Sequence, residues 1–515
     1  MPAKYVIHSK PAAGRLRPVG KLGIVDWRED CSSCHNCVKR GCVYGFYRDE
    51  ADTLRDEVGY LDYIYQCKGC LSCVQNCTKN ILTRVMNPEF KRLGDSYYTP
   101  EIILSTWFQA ETGRIPVSGS GYGGPFSGPG FDSMWTDMSE IVRPTRDGIH
   151  GREYISTSVD IGRKLPHLTF HEECLTAASP PLLELPIPIV FDVIPQHWRR
   201  GPVLAAVVEA ASELGTMAVV GSGDREQFWG EAAHGHVLPL LDEERLPSLS
   251  GRGVGGEGGL QSNTVKSEVG TPHAGPLPKG EGDLRAPLVM VPDSENVMQV
   301  QSSLKAQNPS QIVAIRLTAT PMAAQRVLEL ARQGAEVVHL VFDSHGRETD
   351  SHVSGTLRVP MEGGTRSVPG TLAPRHMRDV LREVHTSLVK GSLRDEITLI
   401  ASGGIAQAEH LAKAIICGAD LVAIDIPLLV AMECRLCGEC QKENPCPITL
   451  EEIGRELAVH RILNLMGAWH SQLLEVLGAM GIREVRRLRG ETGRCMFFED
   501  LEREAFGKLF GKRKA

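Results

Sequence analysis

The chain has 515 residues, of which 42% are hydrophobic and 23% charged, the balance of an ordinary globular protein with more than one core. Its 56 Lys and Arg against 63 Asp and Glu leave a net charge of -7, which argues against a nucleic-acid partner. No stretch reaches the ~18 uninterrupted apolar residues of a spanning helix, and Met1 to Arg15 has no apolar run of the secretory kind, so a cytoplasmic protein without membrane insertion is expected.

Fifteen cysteines would suggest disulfides in a short secreted chain, but here they cluster. The first run is Cys31, Cys34, Cys37 and Cys42, and the second is Cys67, Cys70, Cys73 and Cys77. Three cysteines at steps of three followed by a fourth wrap a loop around a cubane, so each run points to a [4Fe-4S] cluster. Zinc is the alternative, although structural zinc more often combines two separate C-x2-4-C knuckles. Residues 24 to 90 resemble a bacterial-type ferredoxin module, which passes single electrons. The resemblance implies that each fourth cysteine serves the other cluster, pairing Cys31, Cys34 and Cys37 with Cys77, and Cys67, Cys70 and Cys73 with Cys42. Two departures stand out: four residues precede Cys42, and Thr78 replaces the usual proline after Cys77.

From Thr112 to Gly130 the chain is rich in Gly, Pro and Ser. The Gly119 to Gly124 segment resembles a dinucleotide fingerprint only faintly, because Pro125 and Pro129 follow it where a helix should begin. Between about 185 and 430, β-rich runs alternate with helical patterns, the signature of a parallel sheet with crossover helices. Strands are predicted to begin near Ile189, Met217, His236, Leu288, Ile312, Val337, Ile397 and Leu421, with helices at 202–214, 295–307, 320–333, 373–390 and 405–416. Eight such strands predict an α/β fold, a closed (β/α)8 TIM barrel. An open doubly wound sheet is the alternative, but it calls for a glycine-rich first turn where this chain has Asp192-Val193-Ile194-Pro195. Ser250 to Asp283, with ten glycines, forms a long excursion between the third and fourth strands.

Barrels of this type hold phosphate after strands seven and eight. Here those loops are Ala401-Ser402-Gly403-Gly404-Ile405 and the segment from Gly418 to Asp425, which makes Ser402, Gly403, Gly404 and Gly418 candidates for binding flavin mononucleotide (FMN). A tight structural turn is the bland alternative. Behind the eighth strand comes a third run, Cys434, Cys437, Cys440 and Cys446-Pro447, too far downstream to join the first two and therefore a separate cluster. Four thiolates favour [4Fe-4S] over a three-iron cluster or zinc. Cys174, Cys417 and Cys495 read as buried apolar residues. An amphipathic helix from Leu450 to about Met480 precedes a basic stretch, Arg483 to Arg489, which reads as a solvated face or an intramolecular anion contact.

The order GGI, helix, GADLVAI, short helix and CRLCGECQKENPCP resembles the FMN-binding synthase domain of glutamate synthases. Gly255-Gly256-Glu257-Gly258-Gly259 is similar to a GEGG segment of that family, and Ile312 to Leu317 to one of its strands. With the ferredoxin module included, the chain resembles the archaeal-type, stand-alone synthase subunit. The resemblance implies electron flow through clusters to FMN and reductive formation of glutamate from 2-oxoglutarate and ammonia, with Arg316 and Glu257 as candidates for substrate binding and loop closure. It divides the chain into a 2x[4Fe-4S] ferredoxin-like domain (1–95), a Gly/Pro-rich connecting segment (96–184), the barrel with its C-terminal cluster loop (185–458) and a helical extension (459–515). Ammonia would come from a separate glutaminase, since no N-terminal cysteine nucleophile is present. Electrons would come from a ferredoxin or an NAD(P)H-oxidising flavoprotein subunit, since no nicotinamide fingerprint appears.

Three departures from the family pattern concern the barrel mouth. Phe191-Asp192-Val193-Ile194-Pro195 replaces a Met-Ser-Phe-Gly type loop, Phe342 to Glu348 replaces GHDGGTG, and Asp425-Ile426 replaces Gly-Thr. A carboxylate at Asp425 is expected to repel a phosphate by several kcal/mol at ~4 Å in a medium of effective dielectric ~20. The alternative reading is therefore an iron-sulfur electron-transfer subunit with a degenerate barrel and no glutamate synthase activity.

Overall fold

The computed structural model describes residues 5–16, 19, 34, 36, 40–41, 71–79, 86, 88–115, 130–136, 155–167, 170–171, 174–175, 180–221, 224, 235–241, 286–349 and 374–507. Cys31, Cys37, Cys42, Cys67, Cys70, Glu257, the Gly119 to Gly124 segment and the excursion from Ser250 to Asp283 lie outside these residues.

Eight strands form one parallel sheet: β1 Ile189–Phe191, β2 Ala218–Val220, β3 Val237–Pro239, β4 Leu288–Pro292, β5 Ile312–Thr318, β6 Val337–Val341, β7 Thr398–Ser402 and β8 Leu421–Ile424. The spatial order is β3-β2-β1-β8-β7-β6-β5-β4, with every ladder parallel. The two ends meet where Leu240 bridges Met290 and Leu241 N donates to Met290 O at 2.8 Å, which closes the barrel. All eight strands fall where the sequence predicts them. β7 and β8 are buried at every position, as strands covered on both faces must be, which is why they read as unbroken apolar runs without alternation.

The helices of the outer ring are α2 Val203–Leu214, α3 Val297–Gln307, α4 Ala323–Gln333, α5 Met377–Lys390 and α6 Ala408–Cys417. Gly215 and Gly334 end α2 and α4 in the left-handed region, the conformation that a residue without Cβ adopts at least cost. Three further helices complete the frame: α1 Pro100–Thr112, started by a proline whose missing N–H costs nothing there, α7 Ile426–Ala431 and α8 Arg455–Ala479. α8 packs against α1, α2 and α6. Among the described residues no helix is long and apolar enough to cross a membrane.

The segment expected to be a plain connector has a structural task. Val159–Ile161 pairs with Leu183–Leu185, and the hairpin sits under the barrel, where Thr398 Oγ1 donates to Gly162 O at 2.8 Å and Lys164 N to Glu396 O at 2.8 Å. It covers the N-terminal ends of the strands. Met134–Thr136 pairs antiparallel with Cys495–Phe497, and Cys417 is buried with its thiol 3.7 Å from Met134 Sδ. The basic stretch is an intramolecular anion contact: Arg486 meets Asp160 at 3.1 Å, and Arg489 reaches Asp420 at 2.9 Å and Asp395 at 2.5 Å.

Candidate functional site

The C-terminal mouth of the barrel is polar. On β5, where Ile312 to Leu317 alternates around the barrel wall, Arg316 stands beside His339 of β6 in register. Its guanidinium reaches across to Asp192, just beyond β1, and donates from Nη1 to Oδ1 at 2.7 Å and from Nη2 to Oδ2 at 3.2 Å. Val193 N adds a third bond to Oδ1 at 2.8 Å. Burial alone would push the Asp192 carboxyl up, but Arg316 and the bonds it donates hold it well below the usual carboxylate range. His339 is fully buried and burial lowers its pKa to about 3, so it is neutral, and its 3.8 Å approach to Asp192 is not an ion pair. One ring nitrogen of His339, Nδ1, lies 3.2 Å from Arg316 Nη1 and the other, Nε2, lies 2.8 Å from Ser402 Oγ at the end of β7.

Asp425 follows β8. Its Oδ1 accepts from Ile426 N at 2.6 Å and so caps α7. Burial, with the negative charge of Asp192 adding to it, pushes the Asp425 carboxyl up to about 7. Its surroundings thus favour the protonated form of Asp425 more than those of an ordinary carboxylate.

Gly403 and Gly404 adopt positive φ of 90° and 67°. A Cβ on Gly404 would lie 2.3 Å from Gly346 N, and one on Gly403 would lie 2.4 Å from Phe342 O, so the loops after β6 and β7 cross backbone to backbone. This crossing alone requires both glycines, whatever else they bind. Gly418 is elsewhere: it ends α6 before β8, at the opposite end of the barrel from Gly403 and Gly404, where a Cβ would strike His385. The structure therefore brings Ser402, Gly403, Gly404 and Arg316 to one mouth and does not bring Gly418 there.

A contribution invisible in the sequence comes from residues 94–98. Asp95 Oδ1 accepts from Tyr97 N and Tyr98 N, both at 2.7 Å, and its Oδ2 lies 2.9 Å from His345 Nε2 in the loop after β6. The Tyr97 hydroxyl donates to Gly404 O, and its ring stacks on His345 with centroids 5.2 Å apart. Tyr98 is 2% exposed, and its hydroxyl is buried without a hydrogen-bond partner among the described residues. Its principal charged neighbour is Asp425.

The third cysteine run starts three residues after α7 ends. Cys434, Cys440 and Cys446 are buried and Cys437 half-buried. Burial pushes the Cys434 thiol up to about 12, with Cys437, Cys440 and Cys446 adding to the shift, and that of Cys440 to about 11, with Cys446 adding to it. Burial thus disfavours the free thiolate at Cys434 and Cys440. Among the described residues Asp132, Glu409 and His410 gather three ligand atoms within 4.8 Å of one another. The turn is held in shape by Glu433, Leu436, Gly438, Glu443 and Thr449, all at positive φ. Arg15 clamps it from outside, donating to Glu433 Oε2 at 2.8 Å, Ile448 O at 3.2 Å and Thr449 O at 3.3 Å. Gly94 N donates to Arg435 O at 3.0 Å, so residues 94–98 touch both the cysteine turn and the barrel mouth.

In the Asp132, Glu409 and His410 group, Lys413 Nζ lies 3.1 Å from Glu409 and Ala406 N donates to His410 Nδ1 at 3.2 Å. Of the N-terminal runs, Cys34 Sγ lies 3.9 Å from Thr78 Oγ1, beside Cys77, and Cys73 belongs to the helix Ser72–Gln75.

The barrel is closed and parallel, its mouth is polar, and its last strand leads after ten residues to Cys434, the first of four cysteines. Residues 255–483 match the family described as "Conserved region in glutamate synthase". Over 94% of this chain and 96% of the other, the sequence is 26% identical to the archaeal glutamate synthase [NADPH] of Archaeoglobus fulgidus. The archaeal-type glutamate synthase [NADPH] of Dehalococcoides mccartyi is 25% identical over 91% of this chain and 93% of its own. Among solved structures, mandelate oxidase with benzoylformic acid aligns over 69% of this chain and 97% of its own at 14% identity and a TM-score of 0.36. The chain is thus similar along almost its whole length to archaeal-type glutamate synthases.

Proposed function

We propose that the protein is the synthase subunit of a glutamate synthase, an iron-sulfur oxidoreductase that uses low-potential electrons to form glutamate from 2-oxoglutarate and ammonia. The observation that carries this reading is the continuity of β8, α7 and the four-cysteine turn, which sets a candidate electron-entry point against a barrel mouth able to hold an acceptor. Similarity to archaeal-type synthases along almost the whole chain supports it.

Cys434, Cys437, Cys440 and Cys446 would hold one [4Fe-4S] cluster, which supplies single electrons, as their spacing suggests. The N-terminal module, with Cys31, Cys34, Cys37, Cys42, Cys67, Cys70, Cys73 and Cys77, would hold two more. The domain division at 95, 184 and 458 belongs to the same proposal. When bound, FMN would join one-electron donors to a two-electron reduction. The orphaned Tyr98 hydroxyl, Ser402 and the partly protonated Asp425 fit such a group at the mouth. There Ser402 and Tyr98 orient the ligand, the Asp95 to Tyr98 turn excludes water from above, and Asp425 holds a proton on its carboxyl near neutral pH. The donor would be a ferredoxin or an NAD(P)H-oxidising flavoprotein subunit, with ammonia from a separate glutaminase.

The test is anaerobic purification followed by measurement of iron, acid-labile sulfide and acid-released flavin, then of glutamate formed with reduced ferredoxin. Iron near ~12 per chain, bound FMN and turnover support the reading. One observation favours the second reading, an electron-transfer subunit without synthase activity: Arg316, the candidate for the substrate carboxylate, is already engaged by Asp192. Full iron with no turnover would select it.

A further inference from the structure

We propose that His339 is a positioning residue that fixes the Ser402 hydroxyl as a donor into the barrel mouth, where Ser402 and Tyr98 take uncharged oxygen acceptors of the ligand, the carbonyl and hydroxyl groups of a flavin, and not the carboxylates of an oxo acid. The ligand half of this proposal rests on the function proposed above; the part played by His339 does not.

The direction of every bond in the relay is set by one group that cannot accept. Arg316 Nη1 is only a donor, so the nitrogen 3.2 Å away, His339 Nδ1, must be the acceptor. A neutral imidazole carries a single proton, which is then on Nε2, and at 2.8 Å it is donated to Ser402 Oγ. His339 is the one partner of that oxygen among the described residues, and Ser402 is 1% exposed. With its oxygen already accepting, the Ser402 hydroxyl hydrogen must find its own acceptor. Asp192 anchors the start of the relay by holding Arg316 with two bonds, which prevents the guanidinium from turning and reversing the order.

The Tyr98 hydroxyl independently points to a ligand. It is buried, brought in by residues 94–98, and has no partner among the described residues. A buried hydroxyl left unpaired costs more than its hydrogen bond returns. The charge pattern selects the ligand's polar face. The guanidinium at the mouth already faces Asp192, and the Asp425 carboxyl stands beyond it, so a dianion meets at least as much negative as positive charge. Neutral carbonyl and hydroxyl oxygens meet hydroxyl donors without that opposition.

The test uses the full-length protein. In protein labelled with 15N-histidine, with the His339 resonances assigned by their loss in His339→Gln, we expect the neutral Nε2–H tautomer, unchanged from pH 6 to pH 9. FMN binding followed by quenching of flavin fluorescence should weaken roughly 2- to 12-fold in Ser402→Ala, the range of one neutral hydrogen bond. His339→Leu should weaken it by a similar factor, and the double variant should be no weaker than Ser402→Ala alone, because the two act as one unit. His339→Gln, whose amide can still donate to Ser402, should bind better than His339→Leu. Affinity for 2-oxoglutarate should not change in Ser402→Ala. An Nδ1–H signal, or titration of His339 within that range, overturns the relay whatever binds. Additive losses, or a loss of 2-oxoglutarate affinity without loss of FMN, overturn the assignment of Ser402 to a flavin oxygen. A wild-type protein that binds no FMN yet shows the Nε2–H tautomer overturns the ligand half and the flavin reading while the relay stands.

Discussion

Arg316 on strand five and Asp192 just beyond strand one meet across the mouth of the barrel through two hydrogen bonds, with Asp192 almost wholly buried. Substitution Asp192→Asn leaves the guanidinium facing a neutral amide in a place with little water. The expected cost is about 3 kcal/mol, the lower end for a broken buried pair because Arg316 keeps some solvent contact. The midpoint of urea denaturation should fall accordingly, and the double substitution Asp192→Asn with Arg316→Met should recover part of the loss. An unchanged midpoint in the single variant would show that the pair contributes nothing to stability.

Asp425 predicts a pH dependence of opposite sign to that of most carboxylates. Its folded pKa, raised to about 7, exceeds the ordinary value of 3.8, so between about pH 4 and pH 7 the folded state holds a proton that the unfolded state has lost. By linkage, stability declines as pH rises through that window and is level above it. At ~1.4 kcal/mol per unit the burden at pH 8 is at most about 4 kcal/mol. Asp425→Asn keeps an oxygen to cap Ile426 N and removes the titration. Thermal unfolding should show the variant stabilised relative to wild type at pH 8 and little changed at pH 4.5. Equal differences at both pH values would remove Asp425 as the source.

If the cysteine turn holds a cluster as proposed, Cys434→Ser should remove it without unfolding the barrel, because the turn follows β8 and is not part of the sheet. Iron per chain should drop by ~4, with sulfide falling in step. Loss of zinc in place of iron would return the site to the structural class.

Arg15→Ala removes the outside clamp on the cysteine turn, three bonds to residues 433, 448 and 449. The turn carries four non-glycine residues in the left-handed region, a conformation that persists only where its surroundings enforce it. The visible absorbance of the variant should bleach several-fold faster in air than that of wild type, with the same iron content before exposure. Equal bleaching rates would show that the Arg15 clamp does not protect the proposed cluster.

The barrel was legible in the sequence because its signals are local. The apolar run at Ile397, the glycine stops at Gly215 and Gly334 and the cysteine spacing after Cys434 each lie within a few residues. The mouth was only half legible. Ser402 and the two glycines after it stand out by position, but the demand for Gly403 and Gly404 comes from Phe342 and Gly346, which no short-range pattern connects to them. Gly418 carries a similar glycine signal for a different reason, the end of a helix packed on His385. The bond from Asp192 to Arg316 joins residues 124 apart, and that from Tyr97 to Gly404 spans 307. Tyr97 and Tyr98 lie in what reads as the junction of two domains, and nothing in their neighbours marks them as part of a site on the barrel.

The clamp at Arg15 also dictates an order of assembly. Its partner Glu433 lies 418 residues further along, so at ~5–20 residues per second a ribosome needs roughly 20 to 80 seconds to supply the other half of the contact. During that interval the N-terminal segment is already outside the exit tunnel, while the barrel has yet to exist. The N-terminal strap can fasten only after the last cysteine turn has emerged. Emergence of the N-terminal segment and closure of the molecule are thereby separated in time by the layout of the polypeptide itself.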